Sequence, residues 1–218
     1  PKQNDGNLCL YLFECFFESN QKEGKGSSLF LNIQHEICIE SCQFIEKQES
    51  EGTIYIEPDC GNDPQQSTIY INDCLFKHNR GGKLSTIYIA PSKSKTVMIS
   101  SCTFEEDEGG IYLDSIQQNA EFIRNKMFGI KVMPALTIKQ YPEYEALVKE
   151  CIFDSCTADN NKCFDIQIID SRKYSYSYEF SDNIIQNNAA QGHTSYFGSI
   201  ICNEKIFTLK VKNISFIN

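Results

Sequence analysis

The sequence predicts an all-β fold, a right-handed parallel β-helix of roughly eight coils, and three observations lead there. A phenylalanine closes a short apolar strand eight times along the 218 residues, at Phe17, Phe44, Phe76, Phe104, Phe122, Phe153, Phe180 and Phe216. In most copies a small residue stands two positions before it. A second strand, Ile-Tyr-Ile in its fullest form, recurs between these segments. A strand-built period of about 30 residues marks a solenoid.

The first element contains Cys15-Phe16-Phe17-Glu18-Ser19-Asn20, followed by Leu29-Phe30-Leu31. Cys42-Gln43-Phe44 and Ile54-Tyr55-Ile56 form the next unit. The fullest copies follow, Ile69 to Asn79 and Val97 to Phe104, each trailed by its partner strand at Ile87-Tyr88-Ile89 and Ile111-Tyr112-Leu113. Later units end at Phe122, at Cys151-Ile152-Phe153, at Phe180 and at Phe216, with partner strands at Phe164-Asp165-Ile166 and Ile200-Ile201. Each unit therefore reads strand, turn, strand, turn. Gly24-Lys25-Gly26, Pro58-Asp59, Gly81-Gly82, Pro91 and Gly109-Gly110 punctuate the turns.

Identical residue types in identical slots favour coils stacked in parallel register, and crossovers between parallel strands are right-handed. Successive phenylalanines lie 27, 32, 28, 18, 31, 27 and 36 residues apart, with turns absorbing the variation. The largest insertions are expected at Pro134 to Tyr144 and Asn187 to Phe197. At ~4.8 Å per strand, eight coils make one rod roughly 35–40 Å long. One domain, 1–218, is expected. The chain opens on Pro1 without Met or a signal peptide, so it reads as a piece of a longer protein.

Net charge is −9 with a pI near 4.9, which leaves no basic face for a phosphate backbone and argues against nucleic acid as a partner. Hydrophobic residues make up 41%, enough for a core, yet no 18-residue apolar run is present, so membrane insertion by this segment is not expected. Isoleucine, tyrosine, phenylalanine and asparagine are abundant, which raises β propensity at the expense of helix.

Five of the eleven cysteines, Cys15, Cys42, Cys74, Cys102 and Cys151, share the slot two before the repeat phenylalanine. Ala120 and Ile214 fill that slot in other copies on this alignment. The slot is therefore expected to be apolar and interior, with free cysteine acting as a small hydrophobe. Stacked Cβ atoms ~4.8 Å apart exceed the ~3.8 Å that a bridge prefers, so this ladder is expected to stay reduced. Outside it lie Cys9, Cys38, Cys60, Cys156, Cys163 and Cys202. If any pair closes, it is Cys156 with Cys163, which a short loop separates.

Phe76-Lys77-His78-Asn79-Arg80-Gly81-Gly82 and Phe104-Glu105-Glu106-Asp107-Glu108-Gly109-Gly110-Ile111 match a combined motif, the second with Asp in the Asn position. Phe-x-x-Asn alone recurs at Phe17, Phe122 and Phe180. The pattern resembles the repeat of chlamydial-type polymorphic outer-membrane proteins, and similar repeats occur in large surface proteins of some protists. The resemblance implies a surface-displayed, adhesin-type β-helix.

Parallel β-helices also carry polysaccharide hydrolases and lyases, and the residues offer little for either. Gly192-His193-Thr194 lacks the second glycine of a polygalacturonase-like segment. The acidic run Glu105 to Glu108 reads as a solvated turn, and no two carboxylates fall on one strand face in neighbouring coils. His35, Cys38 and Cys42 lack a second zinc-binding half. No catalytic residue, metal or cofactor is assigned. In the partner strands, Phe30, Tyr55, Tyr88 and Tyr112 should form an outward aromatic stripe. Such a stripe can bind a glycan, a protein ligand or a second copy, or merely stabilise stacked strands. The sequon Asn213-Ile214-Ser215 permits glycosylation in a secreted chain, although Ile214 holds a core slot.

The reading is a non-enzymatic extracellular or cell-surface scaffold or adhesin. A carbohydrate-active enzyme and a filament-forming structural protein are the alternatives.

Overall fold

The computed structural model describes residues 9–18, 25–32, 36–45, 52–57, 68–80, 86–90, 96–117, 119–141, 144–156, 163–168, 176–187, 198–201 and 207–217. Strands in these residues form three sheets of eight, eight and seven members. Each strand pairs, in parallel, with the strand three places before and after it in the chain. The fold is a parallel β-helix.

Among the described residues the first seven turns each supply three strands, and the last supplies two, where the sequence suggested two per turn throughout. In one turn these are Thr68–Asn72 in the first sheet, Leu75–Lys77 in the second and Ile87–Ile89 in the third. The segment from Ile69 to Phe76 is broken at Asp73, whose φ of 53° bends the chain out of one sheet into the next. Asn72 and Asp73 both stay out of the core at this corner, while Ile69, Ile71, Cys74 and Phe76 all enter it. The corner thus absorbs one residue of the alternation, and periodicity alone cannot distinguish it from a continuous strand. Glu14, Ser41, Ser101, Arg124, Glu150, Asp182 and Asn213 make the same left-handed corner in the other turns. These corner residues bond across turns: Ser41 Oγ donates to Asp73 at 3.2 Å, Arg124 pairs with Glu150 at 3.3 Å, and Asn213 Nδ2 donates to Asp182 at 2.8 Å.

The register corrects the expected phenylalanine ladder. Phe122 pairs with Ile99 and Val148, and Phe180 with Val148 and Val211, so both belong to the first sheet. In the second sheet the inward column runs Phe17, Phe44, Phe76, Phe104, Met127, Phe153, Ile185 and Phe216. Its spacings are 27, 32, 28, 23, 26, 32 and 31 residues, tighter than the 18 to 36 of the sequence alignment. Rings 17, 44, 76 and 104 stack with centroids 4.8, 4.9 and 4.7 Å apart and planes within 9° of parallel. Burial of one such ring contributes roughly 1.5–3 kcal/mol.

The slot after the corner is also corrected. It holds Cys15, Cys42, Cys74, Cys102, Asn125, Cys151, Asn183 and Ile214, each directly following a left-handed residue. Ala120 lies instead beside Val97 and Ala146 in the first sheet. A slot that takes asparagine is not simply apolar. Asn125 Oδ1 accepts the Cys102 N–H at 3.0 Å, and its Nδ2 donates to the Ile99 carbonyl at 2.8 Å. Asn183 treats Cys151 and Val148 the same way, at 2.8 and 2.9 Å. The cysteines imitate this with sulfur. Cys42 Sγ accepts the Cys15 N–H at 3.4 Å and lies 3.7 Å from the Leu12 carbonyl of the preceding turn.

Pro134 to Tyr144, expected as an insertion, contains the third-sheet strand Leu136–Gln140, paired on both sides with its neighbours. Its Leu-Thr-Ile core has threonine where other turns carry tyrosine, which hid it. The other expected insertion falls outside the described residues except for its first residue, Asn187.

Candidate functional site on the outer aromatic residues

The third sheet turns alternate residues inward and outward, and the expected stripe is in register. Phe30 pairs with Tyr55, Tyr55 with Tyr88, and Tyr88 with Tyr112. Ring centroids lie 5.7, 4.8 and 5.3 Å apart. The row continues through Thr137 and Asp165.

Its exposure differs from the expectation. Tyr55, Tyr88 and Tyr112 are only 5, 7 and 9% exposed and form, with Ala90, a second apolar cluster separate from the main core. Their faces and edges are already engaged. The Lys25 ammonium sits 4.7 Å from the Tyr55 centroid, and that of Lys139 sits 5.0 Å from Tyr112. The Tyr88 hydroxyl donates to Asp114 at 2.8 Å; burial foremost, then that carboxylate, raises the phenol's pKa far above its ordinary range. Burial disfavours the Lys139 ammonium, but hydrogen bonding to Tyr112 and the charges of Asp114 and Asp165 outweigh it and hold its pKa up. Stacked, capped rings of this kind stabilise the sheet. Phe30 alone in the row keeps an open ring, 48% exposed.

The first turn presents three further aromatic residues that sequence reasoning passed over. Tyr11, Phe13 and Phe16 are 60, 50 and 57% exposed. They flank the corner at Glu14 and Cys15, in outward positions that the next turn fills with Cys38, Glu40 and Gln43. The Tyr11 and Phe13 rings are 6.5 Å apart. The Tyr11 hydroxyl donates to Glu40 at 2.8 Å, and this bond above all pushes its pKa up to about 12. The signal was present: in Leu10-Tyr11-Leu12-Phe13 the leucines fall on the inward positions later taken by Ile37 and Ile39, which sends both aromatic residues outward.

The other candidate residues fall as follows. Cys42, Cys74, Cys102 and Cys151 are buried and Cys15 is half-buried, all of them thiols. Burial pushes Cys42 up to about 11 and Cys151 up to about 12, so neither is a reactive thiolate near neutral pH. Cys38 lies outward on the first sheet and Cys42 inward, which separates the pair considered for zinc; His35 lies outside the described residues. Among the described residues no three His, Cys, Asp or Glu side chains gather as metal ligands. Asn213 is exposed at a corner apex. The acidic run is not a uniformly solvated turn, because Asp107 is fully buried. On the outer face of the first sheet a shallow cavity of about 260 Å³ lies among Glu121, Glu145, Leu147, Ser177, Glu179 and Lys210.

No family model matches the chain, and neither does any curated protein or solved structure. Among the described residues no helix is long and apolar enough to cross a membrane.

Proposed function

We propose that this chain is a non-enzymatic scaffold of adhesin type, working outside the cell or at its surface. The observation that carries the reading is the group of outward aromatic rings on the first turn, Tyr11, Phe13, Phe16 and Phe30, each about half exposed. Aromatic side chains offer large contact area at low entropic cost and dominate recognition surfaces. The ladders behind them give a stiff support, since every turn repeats the same inward slots and hydrogen-bonded corners. The repeat's resemblance to polymorphic outer-membrane proteins supports display at a surface. A net charge of −9 favours neutral glycans or a protein ligand over anionic polysaccharides.

The test is a solid-phase assay on neutral and acidic polysaccharides and on cells, read both for retention and for released sugar. Retention without product is expected, and Phe13→Ser with Phe16→Ser should reduce it at least tenfold. New reducing ends or unsaturated products would instead identify a carbohydrate-active enzyme. Retention unchanged in the double variant would remove the first turn as the contact surface.

A further inference from the structure

Among the described residues, every large apolar side chain left exposed belongs to the first turn of the helix or to the last. Two of them, Val211 and Phe216, stand in inward columns yet are 56 and 59% exposed. In the middle turns those columns are fully buried, at Ile99 and Phe104, because a turn lies on either side. At the other end of the same columns, Leu12 and Phe17 are half-buried. The strands agree. Among the described residues, Leu10–Phe13 and Phe16–Glu18 pair only towards the second turn, and Phe207–Lys212 and Ser215–Ile217 only towards the seventh. Such an edge is a ready template for another strand.

The two ends fit each other, and the seven junctions within the chain show how. At each junction the corner N–H donates to the carbonyl before the next corner, as Asp182 does to Lys212 at 3.0 Å. The N–H after each slot donates back to the slot carbonyl of the preceding turn, as Gln43 does to Cys15 at 2.9 Å. Let the first turn of one copy sit one strand repeat, ~4.8 Å, beyond the last turn of another. Its Phe13 carbonyl then accepts the Asn213 N–H, and its Phe16 N–H donates to the Ile214 carbonyl. Phe17 stacks on Phe216 as it does on Phe44, where the centroids are 4.8 Å apart, and Leu12 covers Val211. Charge follows the same register. Lys210 and Lys212 come beside the Tyr11 and Phe13 rings, an arrangement that favours cation–π contact. Glu14 comes to the adjoining corner, where Arg124 and Glu150 pair across turns at 3.3 Å.

We propose that the last turn is a docking surface for the first turn of a second copy of this chain, joined head to tail by continued strand pairing. A second copy brings an aromatic ring, an aliphatic side chain and acids to the columns and lysines that receive them. The contact is heterologous and leaves one end of each copy open, so assembly is linear and does not close as a two-fold dimer.

The experiment mixes unlabelled and nitrogen-15-labelled protein and follows it by sedimentation velocity and negative-stain microscopy over a concentration series. A carbodiimide then joins adjacent amines and carboxylates directly. Rods that lengthen in steps of one copy are expected, with light-to-heavy cross-links from Lys210 or Lys212 to Glu14 or Glu18. Val211→Lys with Phe216→Lys should raise the concentration needed for assembly at least tenfold and leave the far-UV spectrum unchanged. The proposal is overturned by a monomer at every concentration, or by an assembly that lacks these cross-links. The wild-type cross-links decide it even where the lysine variant folds poorly.

Discussion

Asn79 donates both its backbone N–H and its side-chain amide to one oxygen of Asp107, at 2.6 and 3.1 Å, and both residues are wholly buried. They occupy equivalent corners in successive turns, three residues after Phe76 and Phe104, and each follows a left-handed residue, His78 or Glu106. Asn79 Nδ2 also donates to the Phe44 carbonyl of the preceding turn, at 3.1 Å. The Phe-x-x-Asn motif is therefore an inter-turn clamp, and Asp107 is its acidic variant.

Burial pushes the Asp107 carboxyl up to about 8, against the partly compensating donors from Asn79. An unfolded chain has a carboxyl near pKa 3.9, so between about pH 4 and pH 8 the folded state holds a proton that the unfolded state releases. Stability from this group is therefore full below about pH 4 and declines as pH rises towards 8. Asp107→Asn should flatten that decline and leave the variant more stable than wild type at pH 8, by on the order of a few kcal/mol. Urea unfolding of both proteins at pH 5 and pH 8 measures the difference. Equal slopes in the two would mean that Asp107 is ionised inside the fold.

Cys102→Asn should be tolerated better than Cys102→Ala. Asparagine can accept the Cys74 N–H and donate to the Ile71 carbonyl, as Asn125 does for Cys102 and Ile99. Alanine leaves a buried N–H without that partner, which costs about 1–3 kcal/mol. Chemical denaturation of the two variants ranks them, and the opposite order would show the slot to be purely apolar.

Gly110→Ala should destabilise by about 1–3 kcal/mol, because overpacking displaces neighbouring backbone. A Cβ at this position would stand 1.9 Å from the carbonyl oxygen of Ala135 in the next turn. Thermal melts of Gly110→Ala check this, with wild-type stability as the contrary result.

Changing Tyr55, Tyr88 and Tyr112 together to Ser should cost ~3 kcal/mol or more, since it empties a buried cluster. Phe13→Ser with Phe16→Ser should stay within about 0.5 kcal/mol per site, as substitutions at exposed side chains do. Comparing the two unfolding midpoints separates the structural aromatic residues from the available ones.

Much of the fold was legible because the same side chains return in the same slots. Phe44, Phe76 and Phe104 stack as the motif predicted, and Phe30, Tyr55, Tyr88 and Tyr112 align as alternation required. The misreadings share one cause. A left-handed corner leaves no mark in hydrophobicity, so Phe122 and Phe180 passed for second-sheet residues, and Met127 and Ile185 were missed. The exposed aromatic residues escaped because their positions belong to one turn alone and do not repeat.

The sequence by itself determined that this chain winds as stacked parallel strands, since apolar periodicity and recurring slots are local properties of the chain. Only the tertiary structure decided which residues face water. Tyr88 and Phe13 are both aromatic residues at outward strand positions, yet one is buried and the other half exposed. Likewise Glu106 and Asp107 are adjacent acids, of which one is solvated and the other enclosed. Burial depends on what neighbouring turns and covering segments bring to a side chain, and those partners lie roughly a full repeat away along the chain.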